Sequence, residues 1–397
     1  MNAKKKTSPL HYTCILLPIA LGIAFYFFNL DKEQNGFENA LSDMENIHRE
    51  DQRPDVFSTK ESGTAKQSIF VSFSSYYNQD CSQILENIYK TASKPENVFV
   101  GMIAFIADPQ KEDCMPRSWT SVCQNEMQFC PRANVRVHTP TKAIYSGPSD
   151  AHHMSRDLYR GEKYTLLIHD NTSFVRGWDD VLIERYDRAS QIAKHDQVVL
   201  SHPLPRWLMY TQQEMDISDE VRSWNRAKLN DFDYFDIYDE HLSADNGPFE
   251  HCYASDSFLF APSELLQMVP RDPNIQFLLH GGDLLYSARI WTSGWDIYHP
   301  GKSIAFRKCP YREAKSWSYV DRSWKALRKS SINRLQRILA RNKTVFPIHD
   351  EQEKLYMGLL TTRHIAWYST GTQRSLESYW EKLRVKILVE DPSDKGN

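Results

Sequence analysis

The chain has 397 residues, 41% of them apolar and 12% aromatic, enough to bury one large core or two modest ones with further segments outside. Its 48 basic and 51 acidic residues leave a formal charge of -3. That excludes the basic field needed to neutralise a phosphate backbone, so no nucleic-acid partner is expected.

Lys4, Lys5 and Lys6 open the chain, and residues 10–30 then carry no Asp, Glu, Lys or Arg. This stretch reaches the roughly 20 residues that a helix needs to cross a bilayer. It is longer than the ~7 to 15 residues of a cleaved signal, and no small-x-small site follows it. Lysine on the N-terminal side keeps residues 1–9 cytosolic and sends the rest across. A type II signal anchor is therefore expected at 10–30, with residues 31–67 forming a polar, flexible stem. Beyond Cys14 in the span stand Cys81, Cys114, Cys123, Cys130, Cys252 and Cys309. They form no CxxC pair, so up to three disulfides are expected rather than zinc, with connectivity open. Asn342-Lys343-Thr344 is a glycosylation sequon, whereas Asn171-Thr172-Ser173 is expected to be too enclosed for modification.

From residue 68 the pattern becomes that of a globule. "SIFVSFSSY" (68–76) and "NVFVGMIAFI" (97–106) read as buried strands, and "CSQILENIYKTA" (81–92) as a helix with Ile84, Leu85 and Ile88 on one side. Strand, helix, strand at this spacing is a βαβ unit, which implies a parallel sheet. A Cys-rich irregular stretch, the short strand "NVRVHT", a helix over 148–159 and the strand "KYTLLI" (163–168) follow. The fold class is an α/β sandwich, with ligands expected at the carboxyl ends of strands. His169-Asp170-Asn171 occupies such an end. A strand-end carboxylate suits a nucleotide-sugar site, where a divalent cation can bridge the diphosphate. The plainer reading is a turn whose Asp or Asn bonds its own backbone.

Other patterns carry less. His152 and His153 point about 100° apart on a helix and cannot both face one metal. There is no HExxH and no Gly-rich phosphate loop, and Ser201-His202-Pro203 lacks a nucleophile elbow. Residues 323–343 show apolar residues near helical spacing with basic residues between, and more helices are expected towards the C-terminus.

Five stretches carry a resemblance: "SIFVSFSSYYNQDC", "ENVFVGMI", "YSGPSDAHHMSRDLYRGEKYTLLIHDNTSFVRGWDD", "SFLFAPSELLQMVPRDPNIQFLLHGGDLLYSARIWTSGWDIYHP" and "YSTGTQRSLESYW". In type and order they resemble the family-60 glycosyltransferases, polypeptide α-N-acetylglucosaminyltransferases that modify threonine or hydroxyproline. The resemblance implies a GT-A-like, Rossmann-type α/β/α sandwich with a mixed sheet over 68–322 and a helical extension over 323–397 packed on it. It also implies UDP-N-acetylglucosamine as donor, a divalent metal (Mn2+ or Mg2+), retention of configuration, and a Ser, Thr or hydroxyproline hydroxyl on a protein as acceptor. A Golgi or ER membrane location, with the C-terminal domain lumenal, goes with it.

Departures from the family pattern cluster where the chemistry should be. The family's Asp-x-His metal motif falls on His169-Asp170-Asn171, and a later metal-touching histidine falls on Arg307. Ser-Tyr-Arg-Asp becomes Ser75-Tyr76-Tyr77-Asn78, and Gly-Pro-x-x-Ala-Arg becomes Gly147 to His152. Gly-Glu-Glu becomes Gly281-Gly282-Asp283, and a Gly-Gly pair becomes Asp256-Ser257. Two accounts fit. In the first, Arg307 neutralises the diphosphate, helped by His152 or His169, with Asn171, Tyr77, Gly147 and Pro148 completing the donor site. Asp170, Asp256 or Asp283 then serve catalysis, and Trp178, Trp291 and Trp295 stack on sugar or acceptor unless they are packed corners. A metal would sit only in a rearranged site on Asp170 with His169 or Asn171. In the second account the fold is a noncatalytic module that binds a glycan, a peptide or a partner.

Overall fold

Ile69–Tyr76 (β1) and Val98–Phe105 (β2) are buried over nearly their whole length and pair in parallel, with Cys81–Thr91 (α1) as the crossover. β2 is apolar throughout and β1 is interrupted only by small serines, as a strand covered on both faces requires. α1 turns Ile84, Leu85, Ile88 and Tyr89 inward, so its apolar stripe and the strands share one core. The structure, a computed structural model, describes residues 67–76, 81–105, 114–124, 128–140, 145–202, 204–207, 221–229, 235–242, 247–278, 281–308, 323–339 and 361–383. The span expected at 10–30, the stem up to residue 66, Tyr77 and the Asn342 sequon lie outside these residues. Among the described residues no helix is long and apolar enough to cross a membrane.

Val135–His138 (β3) adds in parallel to β2, and Tyr164–Ile168 (β4) adds in parallel to the other side of β1. The spatial order β4-β1-β2-β3 therefore reverses at β1. In open α/β sheets the ligand crevice lies where the winding changes direction, which here is outside the carboxyl ends of β1 and β4. Pro148–Ser155 (α2) connects β3 towards β4 and is pinned to β1 by a 2.6 Å hydrogen bond between the Ser72 and Ser155 hydroxyls.

Beyond β4 the sheet becomes mixed. Phe258–Pro262 (β11) runs antiparallel to β4 and to Val198–Ser201 (β6), which follows the helix Trp178–Ala193 (α3). Asp296–His299 (β12) and Phe249–His251 (β10) complete eight strands. A smaller sheet joins Thr172–Phe174 (β5), Ala305–Lys308 (β13) and Arg206–Trp207 (β7), and Val221–Leu229 (β8) pairs with Phe235–Leu242 (β9) as a hairpin.

The helices Gly282–Thr292 (α4), Ser323–Ile338 (α5) and Leu376–Leu383 (α6) build a second core. There Leu284, Leu285 and Ala288 meet Leu335, Ile338, Tyr379 and Trp380. Apart from Ser323, every described residue belongs to one compact unit, Thr59–Tyr319 with Trp324–Asn397. Two of the expected disulfides are formed, Cys81–Cys114 and Cys123–Cys130. Cys252 is buried, and Cys309 lies outside the described residues.

The turn before β4 shows how the scaffold is held. Glu162 is fully buried, and its carboxylate accepts from Arg136 Nη2 at 2.6 Å and from the Arg160 backbone N–H at 2.9 Å. A buried carboxylate that loses its cation keeps the desolvation penalty without the compensation. Arg136→Ala is therefore expected to lower unfolding free energy by about 2 kcal/mol in urea titration. Asp179 does comparable work at the start of α3, accepting the backbone N–H groups of Ser93 at 2.7 Å and Lys94 at 2.8 Å.

Candidate functional site

β4 ends in a tight turn, closed by Thr172 N–H donating to the His169 carbonyl at 3.2 Å, and the chain leaves the main sheet into β5. This carries His169, Asp170 and Asn171 to the mouth of the crevice. β13 pairs antiparallel with β5 and places Arg307 opposite Thr172, so the cation of a distant segment stands beside the strand-end turn. Its charge bears directly on His169.

Asp256 comes to the same place because β11 runs antiparallel to β4, with Phe258 opposite Ile168. Its turn is set by Ser201, whose hydroxyl donates to the Phe258 carbonyl at 2.7 Å and accepts the Ser255 N–H at 2.9 Å. Asp256 is ion-paired with Arg271, and the Arg271 guanidinium lies 3.5 Å from the centre of the Tyr286 ring. His152, on α2, meets the Asp256 backbone and feels the charges of Arg271 and Asp256. Asp283 stands in the first turn of α4, hydrogen-bonded to Tyr253 and within the fields of Asp256 and Arg271.

The cluster has a closed floor and an open rim. His152, Asp256 and Arg271 are buried, while His169, Asp170, Asp283 and Arg307 keep partial contact with solvent. Burial, and then the Arg271 charge, holds His152 down to about 3. His169 is lowered first by loss of hydration, with Arg307 and Arg271 pushing the same way against Asp256. Both imidazoles are neutral near pH 7 and can donate or accept a hydrogen bond without carrying charge. Asp283 moves the other way: burial, then the Asp256 carboxylate, push its carboxyl up to about 7.

The donor set does not suit a divalent cation. At the family's metal motif this chain offers one neutral imidazole, an amide, and Asp170, which already engages neighbouring groups. Among the described residues no three His, Cys, Asp or Glu side chains are placed to hold a metal ion. The guanidinium of Arg307, beside the turn, would repel a captured ion. Asn171 instead leaves both amide atoms buried without a hydrogen-bond partner, and the buried hydroxyl of Thr172 does the same. Such orphaned groups suit a polar organic ligand better than an ion that demands charged oxygens.

Several expected site residues fall elsewhere. Trp178 is fully buried against Phe174, with ring centres 4.5 Å apart, and donates to the Ile88 carbonyl at 3.1 Å. Trp295 is 1% exposed in the core beneath β12. Neither can stack on a sugar. Trp291 is taken up by its own chain: Arg374 lies 4.1 Å and Lys382 4.4 Å from its ring centre, and its N–H donates to Ser378 at 2.9 Å. Gly147 and Pro148 are buried at the start of α2 against residues 277–278. A Cβ on Gly147 would meet the Leu278 carbonyl at 3.4 Å, and its φ of 125° favours glycine. They shape the helix entry rather than line the crevice. Tyr253, Arg271 and Tyr286 were missed, because each acquires its part only through partners far away in the chain.

A family model described as "Glycosyltransferase (GlcNAc)" matches residues 68–115 and 103–388. The chain belongs to this glycosyltransferase family. Its fold is GT-A-like, as the resemblance implied. Among solved structures it is similar to GalNAc-T7 with UDP, GalNAc and Mn2+, with a TM-score of 0.53 and 9% identity over 82% of this chain and 58% of that one. The chain thus spans little more than half of that neighbour's length. It also overlaps the mannosyltransferase PcManGT from Pyrobaculum calidifontis, in complex with GDP-Man and Mn2+. There the TM-score is 0.41 and the identity 11%, over 80% of this chain and 74% of that one. No curated protein matches the chain in sequence.

Proposed function

We propose that the transferase moves N-acetylglucosamine from UDP-N-acetylglucosamine to a Ser, Thr or hydroxyproline hydroxyl of a protein, as the family-60 enzymes do. It would work as a type II Golgi or ER membrane protein anchored through residues 10–30, with residues 31–67 as stem and a catalytic unit beginning at about residue 68. One observation supports this above others. Arg307, His169, Asp256, Arg271 and Asp283, from five separate segments, converge where the sheet changes its winding direction. In this reading the pyrophosphate of the donor meets Arg307, whose fork of donors suits phosphate oxygens. Neutral His169 and the Asn171 amide complete the contact, and Asn171 gains partners it lacks in the free protein. The acceptor oxygen bonds to the anomeric carbon as the carbon–oxygen bond to the β-phosphate breaks. UDP leaves with the bonding electrons, and the hydroxyl proton passes to the Asp283 carboxylate.

The description of the matching family supports the sugar, and GalNAc-T7, solved with UDP, supports the nucleotide. The deciding experiment is calorimetry of the lumenal part with a panel of UDP-sugars, with manganese and after chelation. The expected result is preferential binding of UDP-N-acetylglucosamine that chelation does not change. An absolute need for manganese would overturn the part given to Arg307. Retained peptide or glycan binding with no nucleotide binding under any condition would overturn the transferase reading.

A further inference from the structure

We propose that Arg334, on the C-terminal helix α5, is a positioning residue for the transferase site, acting through Asp272 on the loop that sets Arg271 against Asp256. The inference rests on the reading of that cluster as the reaction site. Arg334 is fully buried, 62 residues along the chain from Asp272, and its Nε donates to Asp272 Oδ2 at 2.7 Å. Nη1 reaches the carbonyls of Arg363 at 2.7 Å and Thr361 at 3.3 Å, which ties the loop to the last part of the chain.

Residues 270–276 have no regular structure, so their shape is imposed from outside. Arg289 Nη1 donates to the Pro270 carbonyl at 2.6 Å, Ser149 to the Asp272 carbonyl at 2.9 Å, and Ser331 to the Gln276 carbonyl at 2.8 Å. A ring nitrogen of His153 lies 3.1 Å from the Arg271 carbonyl. Asp272 is the centre of this arrangement. One carboxylate oxygen accepts the Asn274 N–H at 2.9 Å and bends the loop; the other takes Arg334. Arg271, next along the chain, is held at its tip by one carboxylate and one ring face. Where its guanidinium sits therefore depends on where the loop carries it.

A fully buried ion pair adds little net stability over an apolar pair of the same shape, so stability alone does not account for Arg334 and Asp272. Placement does, because a forked donor fixes both distance and direction. The C-terminal helices, which pack through an apolar core, thereby acquire a polar contact leading to the crevice.

The test compares Arg334→Met with the double variant Asp272→Asn/Arg334→Met, whose residue 272 is neutral but keeps an oxygen for the Asn274 N–H, both assayed well below their melting temperatures. The single variant leaves a buried carboxylate uncompensated and should lower the melting temperature and turnover together. The double variant should regain the melting temperature while kcat with UDP-N-acetylglucosamine stays at least tenfold down. Recovery of both would overturn the proposal. Should Arg334→Met not fold, Arg334→Lys, which keeps the charge without the fork, carries the same comparison. A wild-type chain that neither turns over nor binds UDP counts against the transferase reading instead. The positioning claim is then decided by hydrogen exchange of residues 268–276 in the double variant: faster exchange than wild type supports it, and unchanged exchange overturns it.

Discussion

Replacing Arg307 with alanine is expected to weaken UDP binding by roughly 30- to 150-fold, the equivalent of the 2–3 kcal/mol of a charge-assisted contact in a partly enclosed site. The melting temperature should hardly move. Arg307 lies on a short strand at the rim, half-buried, and its removal opens no core cavity. Arg307→Lys should recover only part of the affinity, because an ammonium supplies the charge without the planar fork. Manganese should not rescue Arg307→Ala, since His169, Asp170 and Asn171 still lack the donors a divalent cation needs. Rescue by manganese would mean that the turn after β4 holds a metal and that Arg307 is a bystander. Unchanged UDP affinity in the alanine variant would sink the idea more simply.

The elements that carry this argument were legible to different degrees, for physical reasons. β1, β2 and β4 fell within one residue of their expected ends, because strands covered on both faces are dominated by apolar residues that stand out from the polar segments around them. The helix expected over 148–159 ends at Ser155, whose hydroxyl bonds back to the His152 carbonyl at 2.9 Å before a single tighter turn. His169, Asp256, Asp283 and Arg307 could be named from the sequence because they stand where a related family has other chemistry. Their convergence could not, since it depends on β5 leaving the sheet to meet β13 and on β11 running backwards beside β4. The tryptophans show the opposite error. Trp178 and Trp295 stand beside glycine, where a bend can either present a ring or bury it, and packing chose burial. Arg271 gave no signal, being an arginine between two prolines in an irregular loop. Only the arrival of Asp256 and Tyr286 makes it part of a site.

Asp283 should separate activity from stability through one titration. Its carboxyl is pushed from an ordinary 3.8 up to about 7, by burial first and the Asp256 charge second. Between those values the folded chain keeps a proton that the unfolded chain has released. The stability from this group is therefore complete below about pH 4 and is lost as pH rises through about 7. Asp283→Asn removes the titration. It should match wild type at pH 4 and exceed it by about 2 kcal/mol at pH 8, part of the ~1.4 kcal/mol per pH unit being shared with Asp256. Turnover must run the other way if Asp283 takes the acceptor proton, since only the carboxylate can do so. The rate should climb about tenfold per pH unit below 7 and then level, and Asp283→Asn should lose about a thousandfold at pH 8. The Tyr253 hydroxyl bonds Asp283 and favours its charged form, so Tyr253→Phe should move the rise in rate to higher pH. A rate profile flat from pH 5 to 8, beside a stability curve that still falls, would leave Asp283 a half-buried acid with no part in the transfer.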